Sequence, residues 1–369
     1  MCYIDLTCVK RLKGLTVPIT LKEIAEKADV STATVSFALR GKKAGKRRLS
    51  PETVLRVQAI ANELGYRPNG LAKSLINSQT HTLGILLSSL SFGAEELLEG
   101  VKSVVTPAYS SLLAVYNSDG ESERQRLDLF MQQRVDGVIA AFSGDPESIS
   151  YYRDITEKYK IPVVLIDRGI DELDLPVVRS DHFASTYEGT CALQRLGHSR
   201  IQYISVSIAR DLESTRLRTE GYRQAMLDSG LEGEIRETGK KDFKEWVRMD
   251  NLKQVARGIL DVWMRDRSTT ALFVDNDWLA YEIMHECRTY GVQIPEDLSL
   301  MGIGDYAFSG FSFVGLSTVT SQKQKPMGKS AAEHLLSRID GDESPAGEII
   351  LPVEVKLRST TKTISQGIS

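Results

Sequence analysis

The sequence contains few cysteines and no long apolar segment. Its four cysteines include no pair at CxxC spacing, so neither a zinc site nor a disulfide framework is indicated, and buried thiols in a reducing compartment are expected. No apolar run approaches the roughly 20 residues that span a bilayer, and the start of the chain lacks the pattern of a secretory signal. We therefore predict a cytoplasmic protein with no membrane partner, no metal site and no cofactor.

Catalytic motifs are lacking as well. The sequence has no G-x-S-x-G segment, no Walker loop and no H-x-x-x-H pair, and its five histidines are widely separated. In enzymes these motifs position a nucleophile, a phosphate group or a zinc ion. An enzyme is therefore not predicted.

Excess positive charge is confined to the N-terminal part of the chain. Residues 1–80 hold 14 Lys and Arg against 6 Asp and Glu, a net +8, and the remaining residues hold 32 against 43, a net −11, which together give −3. A basic head on an acidic body indicates that only the head contacts a polyanion. The length of 369 residues predicts two or three domains.

Two short helices are predicted near the N-terminus. Thr20 and Glu23 form a capping box at the start of the first helix, and Asp29 tolerates the left-handed conformation of the turn that follows. Ser31 can cap a second helix over 32–40. Such a pair is typical of a helix-turn-helix, whose second helix fits the major groove of DNA; an ordinary helical hairpin is the alternative.

The second helix has an apolar face and an outward face. Val35, Ala38 and Leu39 form the apolar stripe, which leaves the opposite side for DNA. A third helix begins at Pro51, and the basic loop over 42–48 before it either contacts phosphate or is solvated. The candidate DNA contacts of this region are Thr20, Ser31, Thr32, Ala33, Thr34, Ser36, Phe37 and Arg40.

These segments resemble a known family. The runs TLKEIAEKADVSTATVSFAL, SPETVLRV, NELGYRPN and LAKSL have the order and spacing of the headpiece and hinge of the lactose-repressor (LacI/GalR) family. The resemblance implies that the hinge becomes a helix when a homodimer docks on operator DNA, and that Leu75 wedges between base pairs through the minor groove. Ordinary linker packing is the alternative for Leu75. The hinge residues that the resemblance assigns to DNA are Asn69, Ala72, Lys73 and Leu75.

The recognition helix departs from the family pattern at one position. The family usually has Arg directly after Thr-Val-Ser, where this sequence has Phe37. Phe37 can contact a thymine methyl group or pack against the headpiece, and Arg40, one helical turn later, is the candidate for a guanine contact. The operator sequence of the family is therefore not transferable to this chain.

Beyond residue 82 the pattern changes to alternating strands and helices. This alternation predicts an α/β fold with doubly wound parallel sheets, divided into two lobes with a cleft between them. Ligands bind such sheets beyond the carboxyl ends of the strands. The apolar runs that predict buried strands are 83–87, 112–115, 137–141, 163–166, 201–205, 271–274 and 300–303.

The resemblance also covers this region. Motifs such as IPVVLID at 161–167 and IPEDLS at 294–299 match the family's effector domain, which implies a two-lobed, periplasmic-binding-protein-like fold behind an all-α headpiece. The predicted segments are an extension at 1–19, expected to be disordered, a headpiece at 20–66, a hinge at 67–81, an effector domain at 82–362 whose lobes are 82–179 with 321–350 and 180–320 with 351–362, and a tail at 363–369.

Residues that follow strands are the candidates for effector binding. By the resemblance, Arg218 matches an arginine that grips ligand oxygens, Asp167 and Asn276 match polar contacts, and Phe243 matches an aromatic residue that covers the ligand. Such groups suit a polyol, for example a carbohydrate; a strand-end cap or a surface ion pair is the alternative for each. The candidate effector contacts are Ser89, Phe92, Asp119, Asp167, Arg218, Phe243, Asn276 and Asp305.

The effector domain departs from the family pattern after the strand at 300–303. The family has two successive aspartates there, the first of which commonly binds sugar hydroxyl groups, whereas this sequence has Gly304 before Asp305. A standard monosaccharide site is therefore not expected. The space vacated at Gly304 is expected to admit a larger or differently oriented ligand.

Together these observations predict a bacterial, sequence-specific DNA-binding regulator of transcription. It is expected to act as a homodimeric repressor at the nucleoid, with its operator affinity controlled by a small molecule, expected to be a carbohydrate, in the interlobe cleft. The alternative is a solute-binding receptor of the same two-lobed fold without a role in gene regulation.

Overall fold

The structure, a computed structural model, divides into two compact units, Met1–Ser78 and Gln79–Ser369. Within the described part of the chain no helix is both long and apolar enough to cross a membrane. The described residues are 19–40, 49–66, 79–90, 93–116, 119–206, 213–238, 249–320, 324–342, 344–345 and 347–364.

Three helices form the described part of the first unit. They are α1 (Leu21–Ala28), α2 (Thr32–Arg40) and α3 (Pro51–Glu63), as predicted. Each contributes small or branched apolar residues to a common core, which buries the apolar stripe of α2 and turns its other side outward. The buried core residues are Ile24, Ala25, Ala28, Val35, Ala38, Val57 and Ala61.

Local hydrogen bonds fix both ends of α1. The Thr20 amide donates to Glu23 Oε2 at 2.8 Å, and the Glu23 amide donates to Thr20 Oγ1 at 3.3 Å. The predicted capping box is thereby confirmed. Asp29 follows α1 in the left-handed conformation, at φ 51° and ψ 52°, so the turn prediction is also confirmed.

The second unit contains two six-stranded sheets. The first has the strand order β11-β5-β4-β3-β1-β2 and the second β12-β10-β9-β8-β6-β7. All neighbouring strands are parallel except β12, which pairs antiparallel with β10. The strands are β1 (Thr82–Leu87), β2 (Ser110–Val115), β3 (Gly137–Ala141), β4 (Val163–Ile166), β5 (Val177–Ser180), β6 (Ile201–Ser205), β7 (Glu234–Glu237), β8 (Ala271–Val274), β9 (Ser299–Ile303), β10 (Ser317–Val319), β11 (Glu348–Leu351) and β12 (Val355–Lys356).

Helices cover both faces of each sheet, because parallel strands are connected by crossovers and bury apolar side chains on both sides. Helices α4 and α11 pack on one face of the first sheet and α5 and α6 on the other. Helices α9 and α10 pack on one face of the second sheet and α7 and α8 on the other. The helices are α4 (Ala94–Val105), α5 (Gly120–Gln133), α6 (Pro146–Arg153), α7 (His182–Arg195), α8 (Glu213–Asp228), α9 (Met249–Trp263), α10 (Asp277–Tyr290) and α11 (Gln324–Ile339).

The chain passes between the two sheets three times. It leaves the first sheet after Ser180 and enters α7 at His182, returns between Val319 and α11, and crosses again between Leu351 and Val355. The two sheets are therefore each assembled from separate stretches of the chain. All seven predicted strands are present, whereas β5, β7, β10, β11 and β12 were not predicted.

Candidate functional site

The outward side of α2 carries the candidate DNA contacts. Ser31, Thr32 and Ala33 are exposed, while Thr34, Ser36 and Phe37 are partly buried. Burial of Val35 and Ala38 against α1 and α3 fixes which side of α2 is presented. The partial burial of Phe37 is compatible with both of its predicted roles, so these contacts stay predictions.

Two of the candidate DNA contacts also have structural roles. Ser31 Oγ accepts a hydrogen bond from the Thr34 amide at 3.1 Å, so Ser31 caps α2. Thr20 Oγ1 donates to Glu23 Oε2 at 3.0 Å within the capping box. Both residues lie at helix N-termini, where amide groups and the helix dipole favour a phosphate group.

The remaining DNA predictions lie outside the described residues. They concern the side chain of Arg40, the basic loop over 42–48, and the hinge residues Asn69, Ala72, Lys73 and Leu75. Among the effector candidates, Phe92 and Phe243 are likewise outside the described residues, as are residues 1–18 of the extension predicted at 1–19.

Arg218, on α8, is held by a carboxylate that was not a sequence candidate. Its Nη1 donates to Asp275 Oδ1 at 2.9 Å, and their side chains are only 12% and 6% exposed. Tyr203 Oη donates to the same oxygen at 3.0 Å, and the Val206 amide donates to Oδ2 at 3.3 Å. Burial lowers the pKa of Arg218, but the neighbouring Asp275 and other acidic groups raise it overall, so the guanidinium is charged.

One donor of Arg218 has no partner among the described residues. Its Nε is buried and has no hydrogen-bond partner within the described part of the chain. A buried donor without a partner costs free energy, which a ligand oxygen at that position recovers. The guanidinium is therefore oriented by Asp275, and contact between Arg218 and an effector stays a prediction.

Asp167 and Arg218 interact electrostatically, although Asp167 follows a strand of the first sheet and Arg218 lies on α8, which packs on the second. It follows β4 with φ 71°, and its Oδ2 lies 3.4 Å from Arg168 Nη2. Burial raises the pKa of Asp167, but the charges of Arg168, His182 and Arg218 outweigh this effect and lower it overall. The carboxylate is therefore ionised at neutral pH and can accept hydrogen bonds from ligand hydroxyl groups.

His182 was not a sequence candidate, yet it contacts Asp167. It is the first residue of α7, is 1% exposed, and its Nε2 lies 3.2 Å from the backbone oxygen of Asp167. Burial and the charge of Arg218 lower its pKa to about 4, against an opposing effect of Asp167. Its Nδ1 has no partner among the described residues. His182 is therefore neutral and links the end of β4 to the start of α7.

The three residues after β8 have separate roles. Asp275 holds Arg218, as described above, and Asn276 Oδ1 accepts from the Leu279 amide at 2.8 Å, which caps α10. Asp277 is fully buried, and its Oδ2 accepts a hydrogen bond from the Asp305 amide at 2.9 Å, which connects the start of α10 to the segment after β9. For Asn276, the strand-end cap that sequence analysis left open is thus present, and contact with an effector stays a prediction.

The remaining described candidates lie at strand ends or helix starts. Asp305 forms an ion pair, because its Oδ1 is 2.6 Å from Arg358 Nη2. Sequence analysis gave such an ion pair as the alternative to effector contact. Ser89 follows β1, and Asp119 precedes α5 without a side-chain capping bond. Effector contact by Asp305, Ser89 and Asp119 stays a prediction.

The expectation of an empty space at Gly304 is wrong. A Cβ atom built on Gly304 would lie 2.7 Å from Cε2 and 3.1 Å from Cδ2 of Tyr306. The ring of Tyr306 therefore occupies the position that the side chain of the family's first aspartate would enter. Sequence analysis did not identify Tyr306 as a site residue.

One cluster of potential metal ligands occurs among the described residues. Glu282, His285 and Glu286 lie on one face of α10, with ligand atoms within 4.8 Å of one another. Glu286 is buried and bonded to Arg257 Nε at 2.7 Å, with Lys253 Nζ at 3.5 Å. The acidic group is thus balanced by two cations, and the cluster is explained as an ion-pair network.

Comparison with known families separates the same two parts of the chain. Residues 20–69 match the family described as bacterial regulatory proteins, lacI family. Residues 191–361 match the periplasmic binding protein-like domain. The first match covers the headpiece and reaches into the predicted hinge, and the second covers most of the second sheet and the final crossovers.

Similar proteins share this arrangement. The ribose operon repressor of Escherichia coli strain K12 is 30% identical over 325 residues, covering 87% of this chain and 93% of the relative. The lac repressor dimer bound to operator and the anti-inducer ONPF superimposes with a TM-score of 0.79 at 24% identity, covering 94% of this chain and all of that one. A LacI family transcriptional regulator from Enterococcus faecium with bound ribose gives a TM-score of 0.65 at 23% identity, covering 77% of this chain and all of that one.

These matches confirm the predicted fold, a helix-turn-helix headpiece followed by a two-lobed, periplasmic-binding-protein-like domain. The similarity to the E. coli repressor extends through both parts of the chain, at 30% identity over 325 residues. This chain belongs to the lacI family of bacterial regulatory proteins.

Proposed function

We propose that this chain is a transcriptional repressor that binds operator DNA as a homodimer and responds to a carbohydrate-like effector. Membership of the lacI family makes it a DNA-binding regulator controlled by an effector. The observation that carries the finer proposal is the pair of separate binding surfaces in one chain, namely the outward side of α2 and the Arg218–Asp275 pair at the strand ends of the second sheet.

The DNA part of the proposal rests on α2 and its basic surroundings. A slim helix with exposed Thr32 and Ala33 fits the major groove. The net charge of +8 on residues 1–80 supplies the phosphate attraction that accounts for most nonspecific affinity. In this proposal α2 reads base edges, the hinge over 67–81 contacts the minor groove, and the protein acts at the nucleoid.

The effector part rests on the polar groups around Arg218. A guanidinium held by Asp275, the ionised Asp167 and the Asn276 amide can together donate to and accept from the hydroxyl groups of a sugar. The ribose bound to the E. faecium regulator supports this chemical class. We place the effector between lobes at 82–179 with 321–350 and 180–320 with 351–362.

Neither an enzyme nor a solute receptor is favoured. The named relatives are transcriptional repressors, and the buried carboxylates near Arg218 are engaged in structural hydrogen bonds or ion pairs. A receptor that only carries solutes has no use for a helix-turn-helix headpiece. We therefore propose that the chain has no catalytic role.

The proposal is tested with the full chain and a randomised duplex library. A site recovered by repeated selection is labelled, and fluorescence anisotropy compares it with a scrambled duplex at two salt concentrations. We expect the selected site to bind at least about 1000-fold more tightly than the scrambled duplex, and affinity for both to fall with salt. Equal affinity for every duplex would refute the assignment.

Two variants and one ligand make this test specific. Thr32→Ala, on the outward side of α2, should reduce the preference for the selected site, whereas Gln58→Ala, exposed on α3, should leave it unchanged. A panel of sugars and sugar derivatives that begins with D-ribose is then added, and the compound that changes the anisotropy of the wild-type complex should not change that of Arg218→Ala. A response retained by Arg218→Ala would place the effector elsewhere.

A further inference from the structure

Gly304 and Tyr306 form a sterically matched pair at the carboxyl end of β9. Gly304 has φ +141°, a conformation that L-residues with a side chain rarely adopt, and the ring of Tyr306 covers its α-carbon. A Cβ on residue 304 would lie between 2.7 and 3.3 Å from three ring atoms of Tyr306. The Tyr306 ring can therefore take this position only because residue 304 is glycine.

The Tyr306 ring belongs to an aromatic layer beside the candidate effector site. It stacks on Phe308 at 5.9 Å and 16°, and the Trp278 ring lies 6.3 Å away. Phe308 in turn contacts Trp278 at 4.7 Å and Tyr281 at 5.9 Å. Stacking of this kind orients the ring and holds it over Gly304.

Tyr306 lies beside the polar residues that follow β8. Strand β9 pairs parallel with β8, and the amide of the preceding residue, Asp305, donates to Asp277 Oδ2 at 2.9 Å. Burial raises the pKa of its phenol; Asp277, Asp167 and Asp275 raise it further, and Arg218 lowers it. Tyr306 therefore follows the same edge of the second sheet as Asp275, the residue that holds Arg218, and it is partly buried.

We propose that Tyr306 replaces the family's first aspartate as a specificity residue and selects an effector that presents an aromatic ring face at this position. This inference rests on the proposed function, because it places the effector beside Arg218. A carboxylate at position 304 would accept hydrogen bonds from two hydroxyl groups, whereas an aromatic ring stacks on a flat apolar face. The site therefore favours a sugar that bears an aromatic group over the same sugar without one.

Matched ligand pairs test this selection. Isothermal titration calorimetry of the full chain compares D-ribose with adenosine, and D-glucose with phenyl β-D-glucopyranoside. We expect the aromatic member of at least one pair to bind about tenfold or more tightly than its parent sugar, since stacking of one ring on an aromatic side chain supplies that factor. A parent sugar that binds as tightly as its aromatic partner, or failure of both aromatic members to bind, overturns the proposed ligand class.

Three variants assign the selection to the ring of Tyr306. Tyr306→Phe should keep the aromatic preference within threefold of the wild type, and Tyr306→Ala should abolish it. Tyr281→Ala disturbs the same aromatic layer through Phe308 and should keep the preference. The proposal is overturned if Tyr306→Ala keeps it, if Tyr306→Phe loses as much as Tyr306→Ala, or if Tyr281→Ala loses it too.

A measurement without ligand tests the position of the ring. Gly304→Ala should lower the melting temperature of the full chain through backbone strain and through contact with Tyr306. In a Tyr306→Ala background only the strain remains, so Gly304→Ala should cost less there. Equal losses in both backgrounds would show that the ring does not cover Gly304, and the inference would fail even if operator binding and its response to a sugar remained intact.

Discussion

The buried ion pair of Arg218 and Asp275 fixes the orientation of the guanidinium and contributes little to the free energy of unfolding. Each side chain is nearly removed from solvent, and the cost of burying two charges largely cancels their attraction. The benefit is a guanidinium fixed by Asp275, which is itself held by Tyr203 and the Val206 amide. A ligand oxygen then meets a donor that needs no reorientation.

His182 gives the protein a specific sensitivity to acid. Its folded-state pKa of about 4 lies below the ordinary value of 6.5, so between these pH values the unfolded chain binds a proton that the folded chain does not. Stability therefore falls as the pH is lowered through this window. Between pH 7 and pH 4.5 we predict that the free energy of unfolding falls by about 2 to 3 kcal/mol more in the wild type than in His182→Asn. Urea denaturation at the two pH values measures this difference.

The wild type and His182→Asn should differ only in the slope over this pH range. Because the histidine is 1% exposed, solvent screening does not weaken the effect. Parallel stability curves for the two proteins from pH 7 to pH 4.5 would contradict the assignment of acid sensitivity to His182.

At the residue scale, the sequence placed the candidate residues at strand ends but did not predict which contact each of them makes. It marked the end of β8 as polar, yet which of residues 275, 276 and 277 faces Arg218 depends on where the strand ends and α10 begins. Tyr306 was missed for a related reason. Its position follows from the backbone conformation of Gly304, which no pattern of residue types specifies.

Helix α1 shows how strongly a few local bonds define an element. The capping box satisfies amide groups that the helix itself leaves unpaired, and an N-cap side chain contributes about 1 kcal/mol. We predict that Thr20→Ala speeds amide hydrogen exchange in α1 about fivefold, measured on the full chain. Thr20→Ser keeps the acceptor oxygen and should exchange at the wild-type rate.

The comparison of Thr20→Ala with Thr20→Ser separates the cap from other effects at this position. Both substitutions remove the threonine methyl group, and only the first removes the oxygen that accepts from the Glu23 amide. Equal exchange rates in α1 for all three proteins would mean that the capping bond does not stabilise the helix.

At the element scale, strands formed by continuous apolar runs were predictable, whereas short strands that include polar residues were not. The strand β4 is four consecutive apolar residues, all buried, which a sequence pattern reveals directly. The edge strand β7 reads Glu-Ile-Arg-Glu and is mostly solvated, so no apolar run marks it. The strand β11 joins β5 from the far end of the chain, with Glu348 beside Val177, and such a pairing is set by tertiary structure.

At the scale of the whole second unit, the first chain passage between the sheets adjoins the candidate site. His182 lies at the first passage, directly beside Asp167 at the end of β4. A ligand that contacts both sheets at this point favours one angle between them over others. In the proposed mechanism this shift of population changes operator affinity by the coupling free energy between the two sites.

The proposed homodimer makes a geometric prediction for the operator. Two copies of α2 related by twofold symmetry read two half-sites whose centres lie about one helical turn apart or a little more. Insertion of about five base pairs between the half-sites rotates one of them to the opposite side of the duplex. We predict that this insertion lowers the affinity of the full chain at least about 100-fold, measured by fluorescence anisotropy at fixed salt.

A length control separates geometry from sequence in that experiment. Insertion of the same five base pairs outside the half-sites keeps the composition and length of the duplex but leaves the spacing intact, so affinity should stay at the wild-type level. Central insertion without loss of affinity would mean that a single headpiece accounts for binding, because two rigidly spaced helices cannot both reach half-sites on opposite sides of the duplex. The dimeric mode of operator binding would then be wrong, whereas the fold of each unit would be unaffected.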